Sequence, residues 1–230
     1  MAITNDADSP LARAADHVVD IGAGVEKAVA ATKTYTAELM ALAMISAALN
    51  EDQVQWEALR QVPALVGEAL RLNQDVEQAA ERYRCISQCV ILGRGYNYAA
   101  VYEWALKLKE LTYVVAEPYS SADFQHGPIA VVDRGFPVMA VAPGGQTFDG
   151  LLTLMRELRN KQEADLVVIS NQAEALELAN TPIRLPMDMP EWLSPLPSIV
   201  PAQLFTYYLA QARGLDSEAP RGLRKVTSTL

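Results

Sequence analysis

The chain contains only two cysteines and two histidines in 230 residues. Cys85 and Cys89 lie four apart in one apolar run, a spacing that neither strand nor helix geometry bridges comfortably, so both are expected to be reduced core residues. His17 and His126 are distant from each other and no Cys/His cluster accompanies them. A structural zinc site therefore has little to be built from, and no metal is expected. Positive charge is also scarce: 19 Lys and Arg stand against 28 Asp and Glu, for a formal net charge of −9. Nucleic acid is gripped by clustered Lys and Arg and is not an expected partner. A small anion stays compatible, because it needs only one local positive site. No stretch reaches the roughly 20 uninterrupted apolar residues of a membrane span, and the N-terminus lacks the charged-then-apolar order of a secretory signal, so no membrane partner is expected. The compartment these absences point to is the cytoplasm.

Half the residues are hydrophobic and a fifth are charged, the balance of a folded soluble protein. The length allows one large domain, or one complete domain and part of another. From residue 85 onward, short β-branched runs alternate with helical patterns, which predicts a parallel sheet flanked by helices. Strands are expected at 89–92, 113–116, 137–142, 166–170 and 183–185, and helices at 98–111, 149–160, 173–178 and 201–213. The first 84 residues differ. They supply only two strand candidates, 2–4 and 17–21, followed by a helix at 34–50 with apolar residues all round its wheel, which calls for burial on most sides. A second long helical stretch, 52–83, with a break expected at Pro63, reads as a connector. This first region looks incomplete, and upstream strands in a longer parent protein are the favoured explanation over a covering second chain.

Four features carry candidate chemistry. The strand CVIL runs into GRGYNYAA and a helix, which places Gly93 and Gly95 at the carboxyl edge of the sheet, where α/β folds bind ligands. A lone GxG serves equally well as a tight strand-to-helix turn. On the following helix, Glu103, Lys107 and Glu110 are spaced by four and three and fall within about 60° of one another on the wheel. Such a set is either a pair of surface ion pairs or a partly buried group in which one carboxylate shuttles a proton. The segment EPYSSADFQHGPIAVV then offers helix-capping Ser120, Ser121 and Asp123, and a histidine, His126, whose Gly127-Pro128 neighbours fix its backbone. The tail 216–230, with Pro, Gly and alternating charge, reads from composition as a loose end.

These residues resemble a known family. The stretch ALKLKELTYVVAEPYSSADFQHGPIAVV is similar to the second lobe of the sugar isomerase (SIS) family, in the isomerase module of glutamine–fructose-6-phosphate transaminases. The similarity continues through GRGYNYAAVYEWALKLKE before it and PAQLFTYYLAQARGLDSEAPRGLRKVTSTL after it, and AVAATKTYTAEL resembles the closing part of the family's first lobe. The resemblance implies a three-layer α/β/α fold with a five-stranded parallel sheet, preceded by a partial first lobe and long connecting helices. Residues 1–84 would be that partial lobe with its connectors, and residues 85–230 a complete second SIS domain with a catalytic tail. It also implies a homodimer with its active site near the interface, a sugar-phosphate ligand and no cofactor.

Roles follow by position. Glu110 matches the glutamate that moves a proton between C1 and C2 of an open-chain sugar, with Lys107 and Glu103 as its companions. His126 matches a ring-opening histidine that reaches the site from the neighbouring subunit. Lys225 matches a tail lysine that forms a Schiff base with the ketose. Val29 matches a position lining the sugar through its backbone, and Arg224 the position before the lysine. The family's phosphate-binding loop, of Ser-x-Ser-Gly-Glu-Thr type, has no counterpart in these 230 residues, and neither has its glutaminase domain. The expected activity is conversion of glucosamine 6-phosphate to fructose 6-phosphate and ammonia. The alternatives are a glutaminase-lacking fructose-6-phosphate aminotransferase-like isomerase, or a non-catalytic sugar-phosphate-binding module.

Overall fold

The chain begins with β1 (Ala2–Thr4), a short helix α1 (Pro10–Arg13) and β2 (Val18–Asp20). The two strands pair in parallel with Ala2 opposite Val18, and α1 is the crossover between them. Ser9 caps α1 by accepting a hydrogen bond from the Ala12 amide, and Pro10 occupies the first helical position, where a missing N–H costs nothing. Three helices follow: α2 (Lys33–Asn50), α3 (Gln53–Leu70) and α4 (Asn73–Arg82). The computed structural model describes residues 1–186 and 189–225.

From residue 88 the alternation of strands and helices is as the β-branched runs predict. The elements are β3 (Gln88–Gly93), α5 (Tyr98–Thr112), β4 (Val115–Ser120), the single turn α6 (Ser121–Phe124), β5 (Pro137–Val141), α7 (Phe148–Asn160), β6 (Asp165–Ser170), α8 (Ala173–Leu178), β7 (Thr181–Arg184) and α9 (Pro195–Ala212). The five strands β3 to β7 form one parallel sheet in the order β4-β3-β5-β6-β7. One face is covered by α4, α5 and α9, where Trp104, Leu108 and Phe205 pack against Ile91, Met139 and Ile169. The other face is covered by α6, α7 and α8, with Phe124, Leu151, Met155 and Leu158 against Leu92, Val138 and Val168. This three-layer arrangement buries both faces of the sheet, as near-continuous apolar strands require. Gly93 lets α5 sit close to the sheet edge, since a Cβ there would stand 2.5 Å from Val101 Cγ2. Gly95 takes a left-handed φ of 59° in the turn. The GxG pair is thus accounted for by the strand-to-helix turn.

Several boundaries differ from the sequence reading. The expected break at Pro63 does not occur, because Leu59, Val62, Leu65 and Ala69 form a buried stripe that holds α3 together and Pro63 lies on its exposed side. The chain turns instead at Arg71 and Leu72, whose amides tighten onto the Glu68 and Ala69 carbonyls. The last helix starts at Pro195 and runs through the buried Pro201. Pro195 takes the first-turn position that Pro201 was expected to hold. The strand expected at 113–116 begins at Val115, because Tyr113 is the left-handed cap of α5. Cys89 is a buried core residue, but Cys85 is exposed in the loop before β3; both are free thiols. The helix α2 is less buried than its wheel suggests, with Leu42, Met44 and Leu49 exposed. Among the described residues no helix is long and apolar enough to cross a membrane.

Candidate active site

Helix α5 turns its charged arc inward. Lys107 Nζ stands 2.5 Å from Glu110 Oε2 and 3.8 Å from Glu103 Oε1, so one ammonium bridges two carboxylates. The side chains of Lys107 and Glu103 are 5% and 8% exposed, and that of Glu110 is 23% exposed. The surface-ion-pair alternative is therefore set aside, since such burial removes the solvent screening that makes exposed pairs weak. Burial pushes the Glu103 carboxyl up to about 7; Lys107 opposes this, Glu110 adds to it, the neighbouring Gln203 amide opposes it and Glu38 adds to it. Among the described residues Glu103 Oε1 has no hydrogen-bond partner, and neither has the buried hydroxyl of Tyr35, a residue on α2 whose own ionisation is suppressed first by burial and then by Glu103. Glu110 is the more exposed of the two carboxylates, while Glu103 is almost fully buried.

The tail and the segment before α2 meet at a second point. Lys225 Nζ donates to the Ala28 carbonyl at 2.5 Å, and the Val29 amide donates to the Glu218 carbonyl at 3.0 Å. Lys225 also lines an open cleft of about 820 Å³, together with Asn5, Asp20, Glu26, Thr34 and Glu38. Glu38 lines this cleft, and its charge is the least of the influences that raise the Glu103 carboxyl. The structure brings Lys225 and the Val29 segment together, and Ala30 beside them packs with Leu111 near the end of α5. Arg224 is exposed. Residues 226–230 of the expected catalytic tail lie outside the described residues.

His126 is placed differently. It follows α6, whose N-terminus Ser120 caps through its hydroxyl, and its amide bonds the Asp123 carbonyl at 3.0 Å. Gly127 has a φ of 134°, which only glycine adopts readily, so the chain turns sharply into Pro128 and presents His126 on the exposed turn. Among the described residues, no hydrogen bond or ion pair joins His126 to the α5 charges or to Lys225.

Sequence reasoning missed Tyr35, Glu38 and Glu26. Glu26 accepts hydrogen bonds from the Thr34 and Thr32 amides at 3.0 and 3.2 Å and from the Thr34 hydroxyl at 3.1 Å, capping α2 from the preceding loop. These contacts hold its carboxyl below the usual range although burial works against them. The available signal was a glutamate just before a Thr-Lys-Thr helix start. Among the described residues no group of three His, Cys, Asp or Glu side chains is arranged to hold a metal ion.

The model of the SIS domain family matches residues 1–48 and 82–213. This chain belongs to the SIS domain family. Glutamine–fructose-6-phosphate aminotransferase (isomerizing) of Legionella pneumophila (strain Paris) is 37% identical to it over 228 residues, covering 98% of this chain and 38% of the relative. The enzyme of the same name from Methanothermobacter thermautotrophicus is 36% identical over 226 residues, with the same coverage. The SIS chain therefore spans 38% of the length of these curated relatives. The C-terminal domain of glucosamine-fructose-6-phosphate aminotransferase from Francisella tularensis superposes with a TM-score of 0.84 at 32% identity, covering 94% of this chain and 63% of that one. Glucosamine-6-phosphate deaminase from Thermotoga maritima shares the fold, with a TM-score of 0.75 at 23% identity over 97% of this chain and 65% of that one.

Proposed function

We propose that this SIS chain carries out proton transfer between C1 and C2 of an open-chain aminosugar 6-phosphate, converting glucosamine 6-phosphate to fructose 6-phosphate and ammonia. The observation that carries the reading is the buried Glu103–Lys107–Glu110 set, in which one ammonium holds two carboxylates and Glu110 is the more exposed of the two. In this reaction Glu110 removes the C2 proton and returns it to C1. The product of that transfer is an imine at C2, from which the nitrogen is lost. Lys107 offsets the negative charge that develops on the sugar oxygen as the C2 proton leaves. The Lys225 amine adds to the C2 imine and displaces ammonia, and water then hydrolyses the lysine–ketose imine to give the ketone and the free amine. His126, from a second subunit, donates the proton that opens the ring. Val29 and Arg224 complete the substrate contacts.

On this reading residues 1–84 belong to a first lobe and residues 85–230 to a second, the protein is a cytoplasmic homodimer, and no cofactor takes part. The reverse direction, amination of fructose 6-phosphate, is the second reading. It is favoured by the names of the relatives at 36 and 37% identity, which are isomerizing aminotransferases. Both directions use the same carboxylate, so one variant tests both. Glu110→Gln is expected to lower ammonia release from glucosamine 6-phosphate, and the reverse reaction, by more than about a hundredfold. Undiminished turnover in Glu110→Gln contradicts the assignment. Tight binding of the sugar phosphate without turnover in either direction by the unaltered chain supports a binding module instead.

A further inference from the structure

The residue that ends helix α5 has the wrong chemistry for an ordinary helix end. Left-handed caps are usually glycine or asparagine, because a Cβ is crowded there. Tyr113 holds this position with φ 59° and ψ 20°, and an unfavourable conformation of a bulky residue points to something its ring does. The ring is used. The Arg221 guanidinium lies over it at 3.9 Å from the centroid, and the Arg221 backbone amide donates to the Tyr113 hydroxyl at 2.8 Å. A cation stacked on an aromatic face while the same residue's amide bonds the ring's polar tip fixes both the position and the direction of the chain at that point.

Arg221 is four residues before Lys225, and the other tail contacts lie on either side of it. Upstream, Leu215 packs with Ala30, Leu111 and Ala210, the Glu218 carbonyl accepts from the Val29 amide, and Pro220 is buried. Downstream, Lys225 reaches Ala28. The tail is thereby stitched alternately to the end of α5 and to the segment before α2, and Tyr113 is its attachment to the helix that carries Glu110. We propose that Tyr113 is a positioning residue: by clamping Arg221 it fixes the distance between the C-terminal end of α5 and the tail, and so sets where the Lys225 amine stands in the cleft. The proposal rests on the reaction given above for the role of Lys225, but not for the clamp itself.

The test joins hydrogen exchange of single amides to steady-state kinetics on the full chain. In Tyr113→Leu, which keeps an apolar side chain but removes ring and hydroxyl, the Arg221 and Val29 amides are expected to exchange at least about tenfold faster. The kcat is expected to fall about tenfold with KM little changed, since the tail amine and not substrate binding is misplaced. Arg221→Ala, a change on an exposed part of the tail that does not threaten folding, should reproduce both effects, and Arg221→Lys should restore much of the turnover by keeping a cation over the ring. Tyr113→Phe should speed Arg221 exchange alone, because the stack survives without its acceptor. Unchanged exchange in Tyr113→Leu and Arg221→Ala overturns the clamp, and faster exchange with unchanged kcat overturns the positioning role. If the unaltered chain shows no turnover yet exchange responds as stated, the clamp is supported and the failure belongs to the proposed reaction.

Discussion

Glu103 and Glu110 carry the same group on one helix, and their surroundings give them different tasks. Glu110 shares a short contact with Lys107 and is partly exposed, whereas Glu103 is deeper, has an oxygen without a hydrogen-bond partner among the described residues and is held up to about 7 chiefly by burial. The sign of the stability effect follows from that shift. In the unfolded chain the carboxyl ionises near 4.5, so between that pH and about 7 the folded protein binds the extra proton, and stability falls as pH rises through this window. Above it, the folded state carries a poorly solvated carboxylate in full. Glu103→Gln removes that burden while keeping the shape, and is expected to melt higher than the unaltered protein at pH 8, by roughly 1–3 kcal/mol of stability. At pH 5, where only the first part of that window has been crossed, the difference should shrink to about a quarter of its pH 8 value. Thermal melts of both proteins at the two pH values decide this, and an equal difference at pH 5 and pH 8 would show that the Glu103 proton is not what matters.

At the scale of elements, what was legible was whatever repeats along the chain. The alternation of β-branched runs gave the five-stranded sheet, and the four-and-three spacing placed Glu103, Lys107 and Glu110 on one arc, which the structure shows turned inward. What failed was punctuation that depends on tertiary partners. Pro63 was read as a break, yet the buried stripe of α3 carries the helix past it. Tyr113 reads as a strand residue, although its backbone caps α5 in the left-handed region and its ring stacks on Arg221. Tyr35 and Glu38 were missed because they share α2 with many apolar residues, and nothing local says that they approach Glu103. Arg213 was equally invisible, read only as the last residue of a helix. At the end of α9 its guanidinium donates to the Arg84 carbonyl at 2.8 Å, to the Thr112 carbonyl at 2.5 Å and to the Ile86 carbonyl. It thus ties α9, the end of α5 and the entry to β3 at one point, satisfying carbonyls that a helix end and a loop leave open. Arg213→Ala is expected to cost about 2–4 kcal/mol in urea unfolding, and Arg213→Lys to recover only part, because an ammonium cannot span three acceptors with a fixed fork. A loss below roughly 0.5 kcal/mol for the alanine variant would mean that water replaces the guanidinium without difficulty.

For the whole molecule, the informative fact is that among the described residues no hydrogen bond or ion pair joins His126 to the other candidate site residues. Glu38 and Lys225 line one cleft and the α5 charges bind one another, while His126 lies on an exposed turn after α6 with no bond to any of them among the described residues. A ring-opening acid must lie within hydrogen-bond reach of the sugar oxygen, directly or through one water. The proposed homodimer resolves this by letting each site take its histidine from the opposite subunit, and the arrangement has a consequence that a single-chain site does not. Two inactive variants, Glu110→Gln and His126→Ala, are to be mixed under conditions that exchange subunits. Half of the dimers then become mixed, and in each of these one site combines an intact Glu110 from one chain with an intact His126 from the other. Activity is expected to return to about a quarter of that of the unaltered protein. If His126 instead served the site of its own chain, every site in a mixed dimer would lack one of the two groups and mixing would restore nothing. Recovery therefore requires both that the protein is a dimer and that its active site is built across the interface.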